Sequence, residues 1–302
     1  MLLASKIALR LMAALFAGSV IVVAAAAWRL SEGPISVGFL SPYIKESLNF
    51  GGADVDIALA DTVLAWRGFD RGLDIVVLGL ALQDKSGQTV ARVPELAVGL
   101  DSGRLFAGDF VPTTVDVVGA NVSLRRSADG VIEIGVGRGR GGGASLLAFL
   151  RDLTLAPDPR RPGSALRRVS ILSAAVTFED MASGVTWDMP AADLILNRDT
   201  GGLSGGLIFD LDLDGQLTHF VATASFDYVG RATKVAVDFK NLDPQRLAAK
   251  DPLLAGLDRL QLPVTGRINL EVSERGRFDS INFDITGGAG ALDLAPVFDT
   301  PS

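Results

Sequence analysis

The sequence predicts a mainly β chain behind an N-terminal membrane helix. Three observations carry that reading: an unbroken apolar run from Leu11 to Trp28, period-two alternation of apolar and polar residues over much of the remainder, and turn-forming pairs such as Asp-Gly between the alternating runs. Alternation gives each strand one apolar and one wet face, and short turns between consecutive strands give an antiparallel sheet. No βαβ rhythm breaks the pattern.

The first element is the segment 1–31. Lys6 and Arg10 precede the apolar run and Arg29 follows it. A run of about 18 apolar residues crosses a bilayer core as a helix, and positive charge on its N-terminal side keeps that end cytoplasmic. The chain after Ser31 is therefore expected outside the cytoplasm. Ala24 to Ala27 also offer the small residues of a signal-peptidase site. Retained anchor and cleaved signal are the two leading readings, ahead of a buried soluble-core helix, and both export the rest. Beyond the membrane exit, Tyr43 and the stretch 44–48 read as a linker helix or an interfacial contact.

Residues 32–143 form the first expected β module. Its strands are Leu73 to Leu82, Val90 to Leu100 interrupted by Pro94, and Val115 to Arg126, the last with Val118, Ala120, Val122 and Leu124 on one side. Ser86-Gly87, Asp101-Ser102-Gly103 and Asp129-Gly130 supply the turns. Residues 144–168 read as a helix and linker: Ser145 is placed to N-cap a stretch with Leu146, Leu147, Phe149, Leu150 and Leu153 at helical spacing, between a Gly-rich spacer (138–143) and a Pro- and Arg-rich one (156–163).

Residues 169–302 form the second module, where the alternation is cleanest. Leu207, Phe209, Leu211 and Leu213 alternate with Asp210, Asp212 and Asp214. Val235, Val237 and Phe239 follow the same rule, as do Ile268, Leu270 and Val272, and then Ile281, Phe283 and Ile285. Ser183-Gly184, Asp214-Gly215 and Arg275-Gly276 mark turns. Asp243-Pro244 and Asp251-Pro252 each place a cap before a proline at the first helical position, which opens short helices near 243–258. These helices are too small to cover the sheet. A weak repeat joins the modules: Val117 to Leu124 aligns without gaps with Ile171 to Phe178 at an offset of 54 residues, and Gly130 falls on Gly184. It reads either as growth of an elongated sheet by repeated hairpins or as a chance match between two similar ones.

Composition restricts the chemistry. The chain has no cysteine, so disulfides and thiolate sites are excluded, and its one histidine, His219, lacks the partners that a metal or a catalytic triad needs. The net charge is −7 even with Lys6, Arg10 and Arg29 counted, which argues against nucleic acid and against electrostatic docking on anionic headgroups. Gly137 to Gly142 matches a dinucleotide fingerprint but lacks the following strand with its acidic end. Gly202-Leu203-Ser204-Gly205-Gly206 matches a nucleophile elbow but runs into an alternating strand instead of a helix. Asp210, Asp212, Asp214 and Gly215 imitate a calcium loop whose twelfth position is Val221 instead of glutamate. No carboxylate pair stands out for glycoside cleavage, and the sequon Asn121-Val122-Ser123 reads as incidental. No enzyme activity, metal or cofactor is expected.

Two stretches resemble a family. The N-terminal helix, then Arg104-Leu105-Phe106-Ala107-Gly108-Asp109-Phe110 leading into Val115 to Arg126 and Asp129-Gly130, resembles the opening of AsmA-like proteins. Phe239 to Pro244, the short helices to Leu260, Leu262-Pro263-Val264-Thr265-Gly266, Arg275-Gly276-Arg277 and Ile281 to Gly290 resemble a module that recurs in YhdP-type members. The resemblance implies an elongated antiparallel sheet curled into an open groove, held at the bacterial inner membrane with its bulk in the periplasm, and a role in moving phospholipid toward the outer membrane. This chain is shorter than those relatives and reads as truncated. A sheet with one apolar face and too little helix must close, pair with another sheet or hold an apolar ligand. The expected lipid-binding face is Leu207, Phe209, Leu211, Leu213, Val235, Val237, Phe239, Ile268, Leu270, Val272, Ile281, Phe283 and Ile285, against the plainer reading that they pack a β-sandwich. A second functional reading is a periplasmic scaffold or outer-membrane protein assembly factor of TamB type that engages other envelope proteins through strand edges.

Overall fold

The computed structural model describes positions 18, 25, 28–29, 32–38, 55–66, 73–84, 89–107, 109, 111–129, 132–136, 153–158, 164–230, 232–273 and 277–292. The expected anchor (11–28), the Gly-rich spacer and the expected helix at 146–153 lie almost wholly outside the described residues. Among the described residues no helix is long and apolar enough to cross a membrane.

The strands follow the alternation. In the first half they are β1 (Ile35–Ser36), β2 (Val55–Ala58), β3 (Asp61–Trp66), β4 (Leu73–Asp84), β5 (Thr89–Leu100), β6 (Pro112–Val118), β7 (Asn121–Arg126) and β8 (Ile132–Val136). In the second half come β9 (Arg168–Asp180), β10 (Val185–Arg198), β11 (Gly202–Leu213), β12 (Gln216–Asp227), β13 (Thr233–Leu242), β14 (Leu260–Gln261), β15 (Val264–Val272), β16 (Phe278–Gly287) and β17 (Ala291–Leu292). Fifteen of them form one open sheet whose main path is β1-β3-β4-β5-β6-β9-β10-β11-β12-β13-β15-β16, while β14 and β17 pair separately. The turn between β11 and β12 is Asp214-Gly215 with φ 54° and 86°, the two positive values that a tight two-residue hairpin requires.

The sheet is mixed, which corrects the antiparallel expectation. β9 runs parallel to β6 along Thr114–Val118 and parallel to β7 along Asn121–Arg126. Every pair in this seam is offset by 54 residues, from Thr114 on Arg168 to Arg126 on Asp180. The internal repeat is therefore a physical ladder: each residue lies beside its repeat equivalent, and in-register parallel pairing requires both to face the same way. The seam also carries the sheet without interruption from the first module into the second.

A crease crosses the strands near this seam. Gly79 (φ 60°) in β4 lies opposite Pro94 in β5, Gly119 (φ 72°) separates β6 from β7, and Ser173 (φ 53°) interrupts β9. They are neighbours: a Cβ on Gly119 would stand 3.1 Å from Pro94 Cγ, and the Gly119 amide donates to the Leu172 carbonyl at 2.9 Å. Pro94 is tolerated inside a central strand because the β4–β5 register skips a pair there, between Leu78–Glu95 and Leu80–Val93, so its missing N–H breaks no regular ladder bond. The break at Gly119 also corrects the expected single strand 115–126. Val117, not Val118, packs with Ala120 and Val122, together with Val77, Leu80 and Val93.

Helices are few. α1 (Ser102–Phe106) replaces the turn expected at 101–103, with Asp101 Oδ1 accepting from the Arg104 amide at 3.0 Å. α2 (Pro244–Lys250) and the 3-10 helix η1 (Pro252–Arg259) open at the two Asp-Pro pairs as expected, capped by Asp243 and Asp251.

The crease makes a stability prediction. Gly79→Ala combines a left-handed backbone with a Cβ 2.8 Å from the Ala60 Cβ, and is expected to cost about 1–2 kcal/mol or more. Ser173→Gly relieves the same kind of strain and is expected to be neutral or to stabilise by up to about 1 kcal/mol. Denaturant unfolding of both variants followed by circular dichroism checks the opposite signs.

Candidate functional site: an uncovered apolar sheet face

Strand register places the predicted residues on one face and extends them beyond the second module. Phe283, Ile268, Val237, Ala222, Leu207, Leu194, Ile171, Val117, Leu96 and Val77 form one cross-strand row through ten strands. Beside it runs Ile281, Leu270, Val235, Ala224, Gly205, Leu196, Val169, Val115, Val98 and Ile75. At about 4.8 Å per strand the first row reaches roughly 43 Å from β16 to β4.

In the second module the face is closed at its two sides and only half-buried between them, while at the β4 end Val77 is buried with Leu80, Val93 and Ala120. On one side Leu211, Leu213, Phe239, Leu242 and Val264 are buried, with Leu247 of α2 and Leu262 packed against them. Arg246 Nη1 and Lys250 Nζ of α2 donate to the carbonyls of Leu213 and Asp212 at 3.1 and 3.0 Å, which fixes the helix over the strand end. Phe209 stacks on Phe220, ring centroids 5.0 Å apart, at the margin of this plug. On the other side Leu153 and Leu166 cover Val169, packed with Val115 and Leu196. A polar clasp holds that segment: the Tyr228 hydroxyl donates to the Leu153 carbonyl at 2.9 Å, and Arg198 donates to the Leu155 carbonyl at 2.6 Å and to the Tyr228 oxygen at 3.2 Å.

Leu211, Leu213 and Phe239 are thus corrected from groove lining to plug core, at 8%, 0% and 5% exposure, because α2 covers the strand end on which they lie. Leu207, Val235, Val237, Ile268, Leu270 and Val272 are half-buried, and Ala224 in their midst is exposed. Ile281, Phe283 and Ile285 on the edge strand are exposed. Sequence reasoning missed the contribution of β12, where Phe220, Ala222, Ala224 and Phe226 share this face. Their alternation with Thr223, Ser225 and Asp227 was available, but two alanines made the apolar face too faint to stand out.

The opposite face of the second module is polar. Arg267 pairs with Asp238 through two hydrogen bonds at 2.7 and 3.0 Å, Lys234 lies 4.0 Å from Glu271, and His219 Nδ1 is 2.8 Å from Asp210. Ser204 of the elbow-like string lies within β11 and not at a strand-to-helix turn, while Asp212 Oδ1 accepts from the Gly215 amide at 2.6 Å, serving the hairpin. Among the described residues no group of three His, Cys, Asp or Glu converges as a metal site needs. What the arrangement offers is a wide apolar surface backed by charge. No family model, curated protein or solved structure matches this chain.

The seam ends in two ion pairs between repeat equivalents. Arg125 Nε donates to Glu179 at 2.8 Å, and the Arg126 guanidinium bonds both oxygens of Asp180. Hydrogen bonding to Arg126 holds the Asp180 carboxyl down to about 2, from an ordinary 3.8. A depressed carboxylate contributes stability that is complete above its unfolded pKa and is lost as pH falls toward the folded one. Between about pH 4 and pH 2 the wild type is therefore expected to lose stability that Asp180→Asn lacks at the outset. Thermal unfolding of both proteins across that interval checks it, the variant showing the flatter acid limb.

Proposed function

We propose that this protein binds phospholipid, holds its acyl chains on the uncovered apolar face and passes them along the sheet without covalent chemistry. The observation that carries the reading is the partial exposure of Leu207, Val237 and Ile268, midway along β11, β13 and β15. In a packed sandwich the centre of the inner face is its driest part. Here Leu207, Val237 and Ile268 lie between the two side covers and none of them is buried, so this part of the face behaves as a surface awaiting an apolar occupant. Acyl chains suit it: each methylene taken from water gives about 0.8 kcal/mol, and successive strands present similar apolar rows, so movement across them exchanges like contacts for like. The headgroup stays at the wet opening, where no specific cationic pocket is required.

The AsmA-like pattern of the sequence and the apolar run at 11–28 support a location at the bacterial inner membrane, with the sheet in the periplasm. An anchored chain would meet its lipid at the membrane that supplies it. Native mass spectrometry of the full chain released from detergent tests the function. Co-purifying phospholipid is expected on the wild type, and Val237→Asn combined with Ile268→Asn is expected to cut occupancy at least about tenfold with the unfolding midpoint little changed. A folded wild type that carries no phospholipid overturns the proposal.

A further inference from the structure

We infer that a second copy of this chain docks on the β16 edge, pairing antiparallel about a twofold axis through Phe283. The inference stands on the edge itself and not on the lipid reading. Among the described residues β16 is the last strand of the sheet, and nine of its ten residues are exposed, including Phe278 at 63%, Ile281 at 53%, Phe283 at 72% and Ile285 at 49%. Edge strands are ordinarily blunted by charge, proline, bulges or shortness, and β16 has only a bulge at its start and two aspartates, one of which, Asp284, lies in its straight stretch. Phe278–Gly287 has no lysine and no proline, and it is not short. By contrast β1, at the far end of the path, has two residues.

The strand is self-complementary in one register. A bulge at Asp279, between the Ser280–Glu271 and Phe278–Val272 pairs, ends the regular ladder, so the straight stretch runs from Ser280 to Thr286. Its midpoint is Phe283. Antiparallel pairing about that midpoint sets Phe283 beside Phe283 of the second copy, Ile281 beside Ile285, Asn282 beside Asp284 and Ser280 beside Thr286. Apolar residues meet apolar ones on one face, and on the other the Asn282 amide can donate to the Asp284 carboxylate on both sides of the axis. A centre at Asp284 would oppose two carboxylates, and a centre at Asn282 would set Asp279 against Ile285. The axis is normal to the sheet, so the apolar faces of both copies stay on the same side and join, while the two N-terminal halves lie at the outer ends.

The absence of cysteine makes the register directly testable, because paired residues across an antiparallel ladder stand about 4.5–5.5 Å apart, within disulfide range. Full-length chains in detergent carrying Asn282→Cys and Asp284→Cys are mixed under mild oxidation. A heterodisulfide is expected to form at least tenfold faster than either homodisulfide. Sedimentation is expected to show a wild-type dimer that Phe283→Lys weakens at least tenfold, with circular dichroism unchanged. A monomeric wild type, or homodisulfides that form as fast as the mixed one, overturns the inference whether or not phospholipid is bound.

Discussion

The constraint on which the rest depends is the parallel seam between β9 and the broken strand β6–β7. Each residue in it pairs with its equivalent 54 positions away. A slip of one residue would turn every side chain of one half to the other face. The apolar row is continuous from β16 to β4 only because Val117 sits on Ile171 and Val115 on Val169. Matching bends in the two repeats, Gly119 and Ser173, keep that alignment after the strand breaks, so β7 rejoins β9 with Val122 on Val176. The ion pairs Arg125–Glu179 and Arg126–Asp180 then close the ladder at its far end and oppose any slip.

A face this wide and this open conflicts with the usual need to bury apolar surface. The chain resolves the conflict at the strand ends only. α2 and Leu262 plug one side, and the segment with Leu153 and Leu166, held by Tyr228 and Arg198, covers the other. Side chains of α2 donate to strand carbonyls, and Arg198 and Tyr228 donate to the carbonyls of Leu155 and Leu153 in the second cover, so both covers are fixed without needing the centre of the face. The remaining central strip is bounded, and the polar opposite face with its Arg267–Asp238 pair keeps that side in water.

Much of this was legible in the sequence where physics is local. Period two found β11, β13, β15 and β16, apolar runs between turn signals found β4 and β5, and the Asp-Pro pairs found α2 and η1, because each depends on a few adjacent residues. The parallel seam was visible only as a repeat, since alignment says that two segments are alike but not that they touch. Val118 was assigned to the wrong side because alternation cannot anticipate a left-handed residue at Gly119. For the site, alternation tells which residues share a face and nothing about what lies above them. Leu207 and Leu213 look the same in sequence, yet one is half-buried and the other wholly covered, a difference set by a helix some thirty residues further on.

That difference decides how the face can work. Were α2 to cover the centre as it covers Leu213, the strip would be an ordinary core and Leu207, Val237 and Ile268 would be dry. Placed at the strand end, α2 instead acts as a wall: Lys250 lies 5.8 Å from the Trp187 ring and donates to the Asp212 carbonyl, so the wall presents a cation anchored on aromatic and backbone partners at the boundary of the apolar strip. A long apolar ligand lying on the strip would thus be confined across the strands' length and free along their order. Confinement in one direction and similar contact in the other is the physical requirement for a surface that conducts such a ligand instead of storing it. Under the proposed function, the exposed and half-buried part of the row, from Phe283 to Leu96, would offer that similar contact from strand to strand.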